Sequence, residues 1–402
     1  MADNKLQVLF ITEFLPWPLT SGGRIRSYHI LRQVASKHKV TLVAACHDEV
    51  EEHFKGFIDD LHALTIQPKS KIKKALGALL TLGSPNPYLL AYSHFQKQLA
   101  ETIQQLVKKN NYDLVHLDHL DAAIYLPFCG NIPVYLDQHN FETKLFQSVR
   151  DNTTNFILRR YIEQQLKKLS KFEAEILRKS NAIGSVSSND ASLMAEIVDH
   201  KKIDVVPNGV DLDFFDIEKK PLPFRVVTIG SLDWQPNVEG LIWFLDKTWP
   251  LVVDQCPQAT FQIVGRSPPK SLLDRASDKI LIAASVPDIR NYASQAAAFV
   301  IPLFSGGGTR LKALEAMAMR MPLVSTPTGV EGINCKDGEH VFIAETPTAF
   351  ANKVVEVLND QKMAMTIAEK ARQLMEDQYS WDAIGNKLDK IYHRLVSDIR
   401  GS

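Results

Sequence analysis

Short apolar runs recur along this chain with helix-like stretches between them, and that rhythm constrains the fold more than any other feature. The runs are rich in Val, Ile and Leu and are bounded by turn residues, as buried strands are. In the first half they are LQVLFIT (6–12), KVTLVAAC (39–46), DLVHL (113–117), IPVYLDQ (132–138) and NAIGSVS (181–187). The rhythm restarts after KKPLPF (219–224), a proline-bearing stretch that suits a linker. The second series is RVVTIG (225–230), ATFQIVG (259–265), KILIA (279–283), AAFVIP (297–302) and PLVST (322–326). Strands alternating with helices predict a parallel sheet covered on both faces. At 402 residues the chain is too long for one compact core. The expectation is an α/β protein of two doubly wound, Rossmann-like domains facing a cleft. The first spans 1–205 and the second 225–379, with a linker over 206–224. The tail beyond 380 is amphipathic, with Ile384, Leu388, Ile391 and Leu395 on one face. Ligands of such sheets bind outside the carboxyl ends of the strands, so the residues just after each strand are the ones to inspect.

Several function classes are disfavoured by the totals. Lys plus Arg equals Asp plus Glu at 46 each, so no global field points to nucleic acid. Cys46, Cys129, Cys256 and Cys335 are scattered and form no C-x-x-C, which indicates neither a zinc ribbon nor a disulfide framework and fits a reducing cytoplasm. The apolar run near the start ends at Glu13, short of a secretory signal. No run approaches the roughly 20 apolar residues of a spanning helix. A soluble or peripheral cytoplasmic protein is expected.

The stretch PLFSGGGTRLKALEAMAMRMPLVST (302–326) carries the strongest chemical signal. Gly306, Gly307 and Gly308 separate a strand from a helix that has Leu311, Leu314 and Ala318 on one face. Arg310 and Lys312 stand in its first turn, where the helix dipole is already positive. That placement makes sense if an anion binds there. Glycine lets backbone N–H groups approach a ligand, and a helix N-terminus favours phosphate. The N–H groups of Gly306, Gly307, Gly308 and Thr309, with Arg310 and Lys312, read as a diphosphate cradle. Glu315, one turn deeper, can accept from a sugar diol. The plain alternative is a flexible loop before a surface helix with solvated cations. In TEFLPWPLTSGGRIRSYHI, Gly22 and Gly23 lie between strand and helix without forming G-x-G-x-x-G; a tight turn needing positive φ and a ligand contact are both open. Asp137, His139 and Asn140 leave the strand IPVYLDQ, and His139 is either structural or catalytic. Asp211 and Asp213 form D-x-D beside the linker, a spacing that also arises by chance, and no metal site is expected there.

Taken together, GSVSSND (184–190), VVPNGVD (205–211), the long stretch 286–319, MPLVSTPTGVEGI (321–333) and the tail from YSW (379–381) resemble the retaining glycosyltransferases of family four, which have the GT-B fold. The resemblance covers nearly the whole chain. It implies transfer of a sugar from a nucleotide-diphosphate donor with retention of anomeric configuration, no cofactor and no bound metal. It also implies that residues 380–402 form a helix crossing back to the first domain. Glu315 matches the glutamate that meets the ribose, His139 the histidine near the donor sugar, and Gly23 the amino-terminal glycine loop. Gly230 closes the strand whose following loop faces the diphosphate, and Val286 lies in 285–288, where backbone groups read the base. Two departures stand out. Gly307 replaces the family's first motif glutamate. GSLDWQPNVEG, after RVVTIG, lacks the usual arginine and lysine, so Arg310 and Lys312 read as their replacements. This pattern resembles the exopolysaccharide and surface-glycan branch. Arg310, Lys312 and His139 are then the catalytic candidates, with the leaving phosphate itself taking the acceptor's proton and domain closure excluding water. A nucleotide-sugar-binding protein without catalysis and a GT-B epimerase are the alternatives.

The expected partners are a nucleotide-sugar donor and a glycan or lipid-linked acceptor, with no nucleic acid. In residues 69–82, Ile72, Leu76, Leu79 and Leu80 share a helical face beneath Lys69, Lys71, Lys73 and Lys74. Residues 144–180 hold nine Lys/Arg against four Asp/Glu. Both features suit peripheral contact with an anionic membrane, at the inner face of the plasma membrane; a core-facing helix with a solvated lysine edge is the other reading of the first.

Overall fold

The computed structural model describes residues 5–47, 51–66, 70, 76–79, 81, 83–88, 95–305 and 310–401. It divides into two units, Met1–Pro207 with Ile384–Ser402, and Asn208–Ala383.

The first unit is built on seven parallel strands: β1 (Gln7–Phe14), β2 (Lys39–Cys46), β3 (Asp60–Thr65), β4 (Leu114–Asp118), β5 (Val134–Gln138), β6 (Ala182–Ser185) and β7 (Ile203–Val205). Their order is β3-β2-β1-β4-β5-β6-β7. Val8, Leu9, Phe10 and Ile11 are all buried, so β1 is covered on both faces, which is why it reads as a continuous apolar run. The strand order reverses between β1 and β4, and their carboxyl ends form a topological switch point. The helix Trp381–Arg400 joins this unit from Ile384 onward. It buries Ile384, Leu388, Ile391, Tyr392 and Leu395, and the Tyr392 hydroxyl meets His116 Nδ1 in the sheet.

The second unit has six parallel strands: β8 (Arg225–Ile229), β9 (Thr260–Gly265), β10 (Ile280–Ala284), β11 (Ala298–Ile301), β12 (Leu323–Ser325) and β13 (Phe342–Ile343), in the order β10-β9-β8-β11-β12-β13. Its switch point lies between β8 and β11. Two glycines permit the close packing there. A Cβ on Gly240 would stand 1.7 Å from the Pro302 carbonyl oxygen, and one on Gly265 would stand 1.9 Å from that of Gly230. The helix Gln235–Trp243 therefore lies directly on the chain leaving β11.

Three strands were not expected from the sequence: β3, β7 and β13. Each closes an edge of its sheet. The stretch 206–224, expected as a linker, is packed from Asn208 onward into the second unit. Val210 and Phe215 are buried, and the Val210 N–H donates to the Tyr379 carbonyl at 2.7 Å.

Candidate active site

In the second unit the site assembles at the carboxyl end of β8. Asn237, in the first turn of Gln235–Trp243, is buried. Its Nδ2 donates to the Ser231 carbonyl at 2.8 Å, which fixes the amide so that Oδ1 faces outward. That oxygen accepts from Lys312 Nζ at 2.5 Å. Lys312 thus reaches across from the helix Leu311–Ala318 to stand beside Gly230, where a Cβ would lie 3.9 Å from its ammonium. Burial pushes the Lys312 ammonium down to about 8, and the charge of Arg310 acts in the same direction. Burial likewise pushes the Glu315 carboxyl up to about 7, against the pull of Lys312. Glu315 is half-buried, and its carboxyl makes no hydrogen bond among the described residues. A cation held below its ordinary pKa and an acid held above its own make a polar pair suited to a ligand.

Arg310 is placed differently from the expectation of a cation open to a diphosphate. It stands at the N-cap position of the helix, is 4% exposed, and its guanidinium binds the neighbouring segment through two nitrogens. Nε donates to the Thr328 carbonyl at 2.8 Å and Nη2 to Glu331 at 2.9 Å. Arg310 braces the chain after β12 and leaves Lys312 as the better-placed cation at the end of β8. Gly306, Gly307, Gly308 and Thr309 lie outside the described residues. Val286 is half-buried in the loop after β10, next to Ser285, whose φ is +52°. Asp211, the first aspartate of the D-x-D, accepts the Phe214 N–H at 2.9 Å and so caps a turn.

In the first unit a second cluster gathers at the ends of β1, β4 and β5. Thr12 Oγ1 donates to Asp118 at 2.7 Å, and the other Asp118 oxygen accepts from His139 Nε2 at 3.1 Å. Asp137 lies 3.5 Å from the same nitrogen. Carboxylates only accept, so Nε2 carries a proton, and Nδ1 has no partner among the described residues. That nitrogen points toward Gly23, where a Cβ would lie 3.8 Å away. Gly23 is helical with no positive φ, which removes the tight-turn reading. Arg26 is buried on the apolar face of the helix Gly22–Lys37 and grips Asp137 through Nε at 2.9 Å and Nη2 at 2.6 Å. Burial alone would raise the Asp137 carboxyl, but Arg26 and His139 outweigh it and hold it far below the usual range. His119, at a φ of +73°, is bound by Asp121 at 3.0 Å and Glu142 at 2.9 Å. Burial opposes its charge, but the two acids win and raise its pKa well above the ordinary value. Its ring stands 4.8 Å from that of His139.

Sequence reasoning missed Asn237, Asp118, Thr12 and Arg26. Thr12 and Asp118 are polar residues at the ends of apolar strands. Arg26 precedes Ile30 by four positions and Val34 by eight, and so falls on the buried face of its helix.

Residues 20–214 match the model of glycosyltransferase family 4, and residues 223–360 match that of the glycosyl transferases group 1, so the two together span most of the chain. An uncharacterised 44.6 kDa protein of the cps region of Klebsiella pneumoniae is 21% identical over 93% of this chain and 96% of its own. TuaC of Bacillus subtilis, named as a teichuronic acid biosynthesis glycosyltransferase, is 21% identical over 82% of each chain. Among solved structures, Anabaena HepE in complex with UDP-glucose superposes with a TM-score of 0.62 at 14% identity, covering 97% of this chain and 100% of that one.

Proposed function

The chain belongs to the family-four glycosyltransferases, with the GT-B fold of two Rossmann-like units, and on that premise we propose that it is a retaining, metal-independent enzyme of surface-glycan synthesis acting on a lipid-linked acceptor. It is a glycosyltransferase that uses a nucleotide-sugar donor. The observation supporting a metal-independent donor site is the lysine placed by Asn237 at the end of β8. The strand's own loop offers no cation there, and Lys312 supplies one from the neighbouring helix.

In the proposed reaction the acceptor hydroxyl attacks the anomeric carbon as its bond to the diphosphate oxygen breaks. The electron pair leaves with the diphosphate, and the hydroxyl proton passes to the departing phosphate oxygen. Lys312 meets the growing charge with a charge-assisted hydrogen bond. A metal would otherwise neutralise that charge, so activity is expected to survive chelation. Glu315 accepts from the ribose hydroxyls. His139 offers Nδ1 to the donor sugar while Asp118 holds its ring. Arg310 keeps the segment after β12 in place rather than touching the donor.

The relatives support a surface-glycan acceptor: the cps region and teichuronic acid synthesis both concern surface glycans. On the proposed reading the acceptor is lipid-linked and the reaction runs at the inner face of the membrane. No helix among the described residues is long and apolar enough to cross one. Of the basic stretch 69–82, only Ser70, 76–79 and Thr81 lie within the described residues.

A thermal-shift panel of UDP-, GDP- and ADP-sugars tests the donor site, since a ligand of the folded state raises its apparent stability. HepE holds UDP-glucose, so UDP-sugars come first. Wild type is expected to shift with one nucleotide class and Lys312→Met to lose most of that shift. No shift with any class would sink the donor assignment. An inverted anomer in the NMR spectrum of the product would sink retention.

A further inference from the structure

The first unit carries an uncovered apolar surface that the donor chemistry does not use. The helices Glu142–Asp151 and Phe156–Lys179 pack as an antiparallel hairpin. At its tip Phe156, Ile157 and Leu158 are 70%, 81% and 49% exposed. Successive helical residues turn by about 100°, so these three cover roughly 200° of the circumference. They form a rounded knob rather than the single stripe that a protein groove receives. Val149, on the other helix, is 44% exposed. The connecting residues 152–155 are uncharged Asn and Thr. Arg159 and Arg160 come next, about one turn or roughly 5 Å along the axis below Phe156, and both are exposed. Arg160 lies 5.5 Å over the Phe156 ring. An apolar cap with cations one turn behind it matches the acyl boundary and phosphate layer of a bilayer in depth and in sign. Thr81 and Tyr88 bind the flank of the same helix through Lys168 and Gln165, so the exposed Leu76 and Leu79 belong to this side of the unit.

We propose that the helical hairpin 142–179 docks tip first on an anionic phospholipid bilayer, with Phe156, Ile157 and Leu158 entering the acyl boundary and Arg159 and Arg160 meeting the lipid phosphates. The inference rests on the lipid-linked acceptor for its purpose, but its test does not involve the acceptor. A knob that is apolar around most of its girth needs a non-directional apolar medium, and the cations behind it need a negative surface. A neutral bilayer meets the first need alone.

Flotation of the full chain with phosphatidylcholine vesicles, with and without about a third phosphatidylglycerol, reads the proposal. Wild type is expected to float with the anionic vesicles and to stay behind with the neutral ones. Arg159→Gln with Arg160→Gln is expected to lower partitioning about thirtyfold, and Ile157→Glu to abolish it. These positions are exposed, and an unchanged nucleotide-sugar thermal shift in each variant shows that fold and donor site are intact. Wild type that fails to float, or variants that float as wild type does, would overturn the docking and leave the donor reading standing. A self-associating wild type made monomeric by Ile157→Glu, without vesicle binding in either, would assign the knob to a second copy instead and equally overturn it.

Discussion

Replacing Lys312 with methionine separates the affinity it supplies from the stability it costs. The ammonium titrates at about 8 in the folded chain because it is buried; the ordinary value is 10.5. The unfolded chain therefore binds more protons between these values, and stability rises with pH across that window. Below about pH 8 the full penalty is present, about 3 kcal/mol. Methionine removes it and forfeits the charge-assisted bond to Asn237, worth about 2 kcal/mol. The variant is expected to gain about 1 kcal/mol of stability at neutral pH in urea denaturation. Its donor affinity should move the other way, falling about thirtyfold through loss of a charge-assisted contact. Wild type carries a further signature. A bound diphosphate holds the ammonium charged, so at pH 8 binding takes up about half a proton, measurable by calorimetry in two buffers of different ionisation heat. From pH 8 to pH 9 the Kd should rise about fivefold. Glu315, pushed up to about 7, is largely ionised at pH 8 and adds little to that proton count. A wild-type Kd that stays flat over this range, or a methionine variant that binds as tightly as wild type, would refute the assignment of Lys312 to the diphosphate.

Two predictions concern the scaffold. Burial pushes both His38 and His116 down to about 4. The unfolded chain takes up those protons near 6.5, so stability falls as pH drops from there toward 4. The loss is about 2 kcal/mol per histidine by pH 5, and Glu315, pushed up to about 7, offsets part of it because the folded chain takes up that proton first. Chemical denaturation at pH 7 and pH 5 of wild type and His38→Gln isolates the histidine share; a variant with the wild-type pH dependence would contradict it. Gly240→Ala drives a methyl onto the Pro302 oxygen, 1.7 Å away, and is expected to cost about 3 kcal/mol or more. Gly56→Ala meets nothing within 4 Å and should stay within about 0.5 kcal/mol of wild type, so equal losses at the two positions would show that crowding is not the cause.

The central strands were legible because both their faces are buried, which forces unbroken Val, Ile and Leu runs. The edge strands were not. β3 reads DLHALT and none of its residues is fully buried; β7 has three residues and β13 two. Pairing on one side stabilises them, and a single sequence does not show which neighbour will pair. The packed stretch after Asn208 was hidden for a similar reason. Its prolines and charges suggest a linker, whereas its order comes from Val210 and Phe215 meeting the second unit's core.

At the site, the sequence showed which residues are chemical but not which of them are already spent. Arg310 and Lys312 look equivalent, two positions apart at one helix start. Their partners distinguish them: Glu331 and the Thr328 carbonyl hold the first, while the second reaches Asn237 at the other side of the switch point. The resemblance leads one to expect an arginine and a lysine from the loop after β8, and here the helix that follows it supplies an asparagine. An amide cannot neutralise a phosphate, but it can aim a cation from elsewhere, and its bond to the Ser231 carbonyl leaves it one orientation in which to do so. With Arg310 held by Glu331 and the Thr328 carbonyl, Lys312 is the cation that the helix Leu311–Ala318 brings to the end of β8, and Glu315, pushed up to about 7, is partly neutral near physiological pH. A fully ionised Glu315 one turn from the diphosphate would offset that single cation. Burial therefore acts on the two groups in opposite senses for an anion: it removes negative charge from Glu315, which favours the site, and it weakens the Lys312 charge, which a bound diphosphate has to restore.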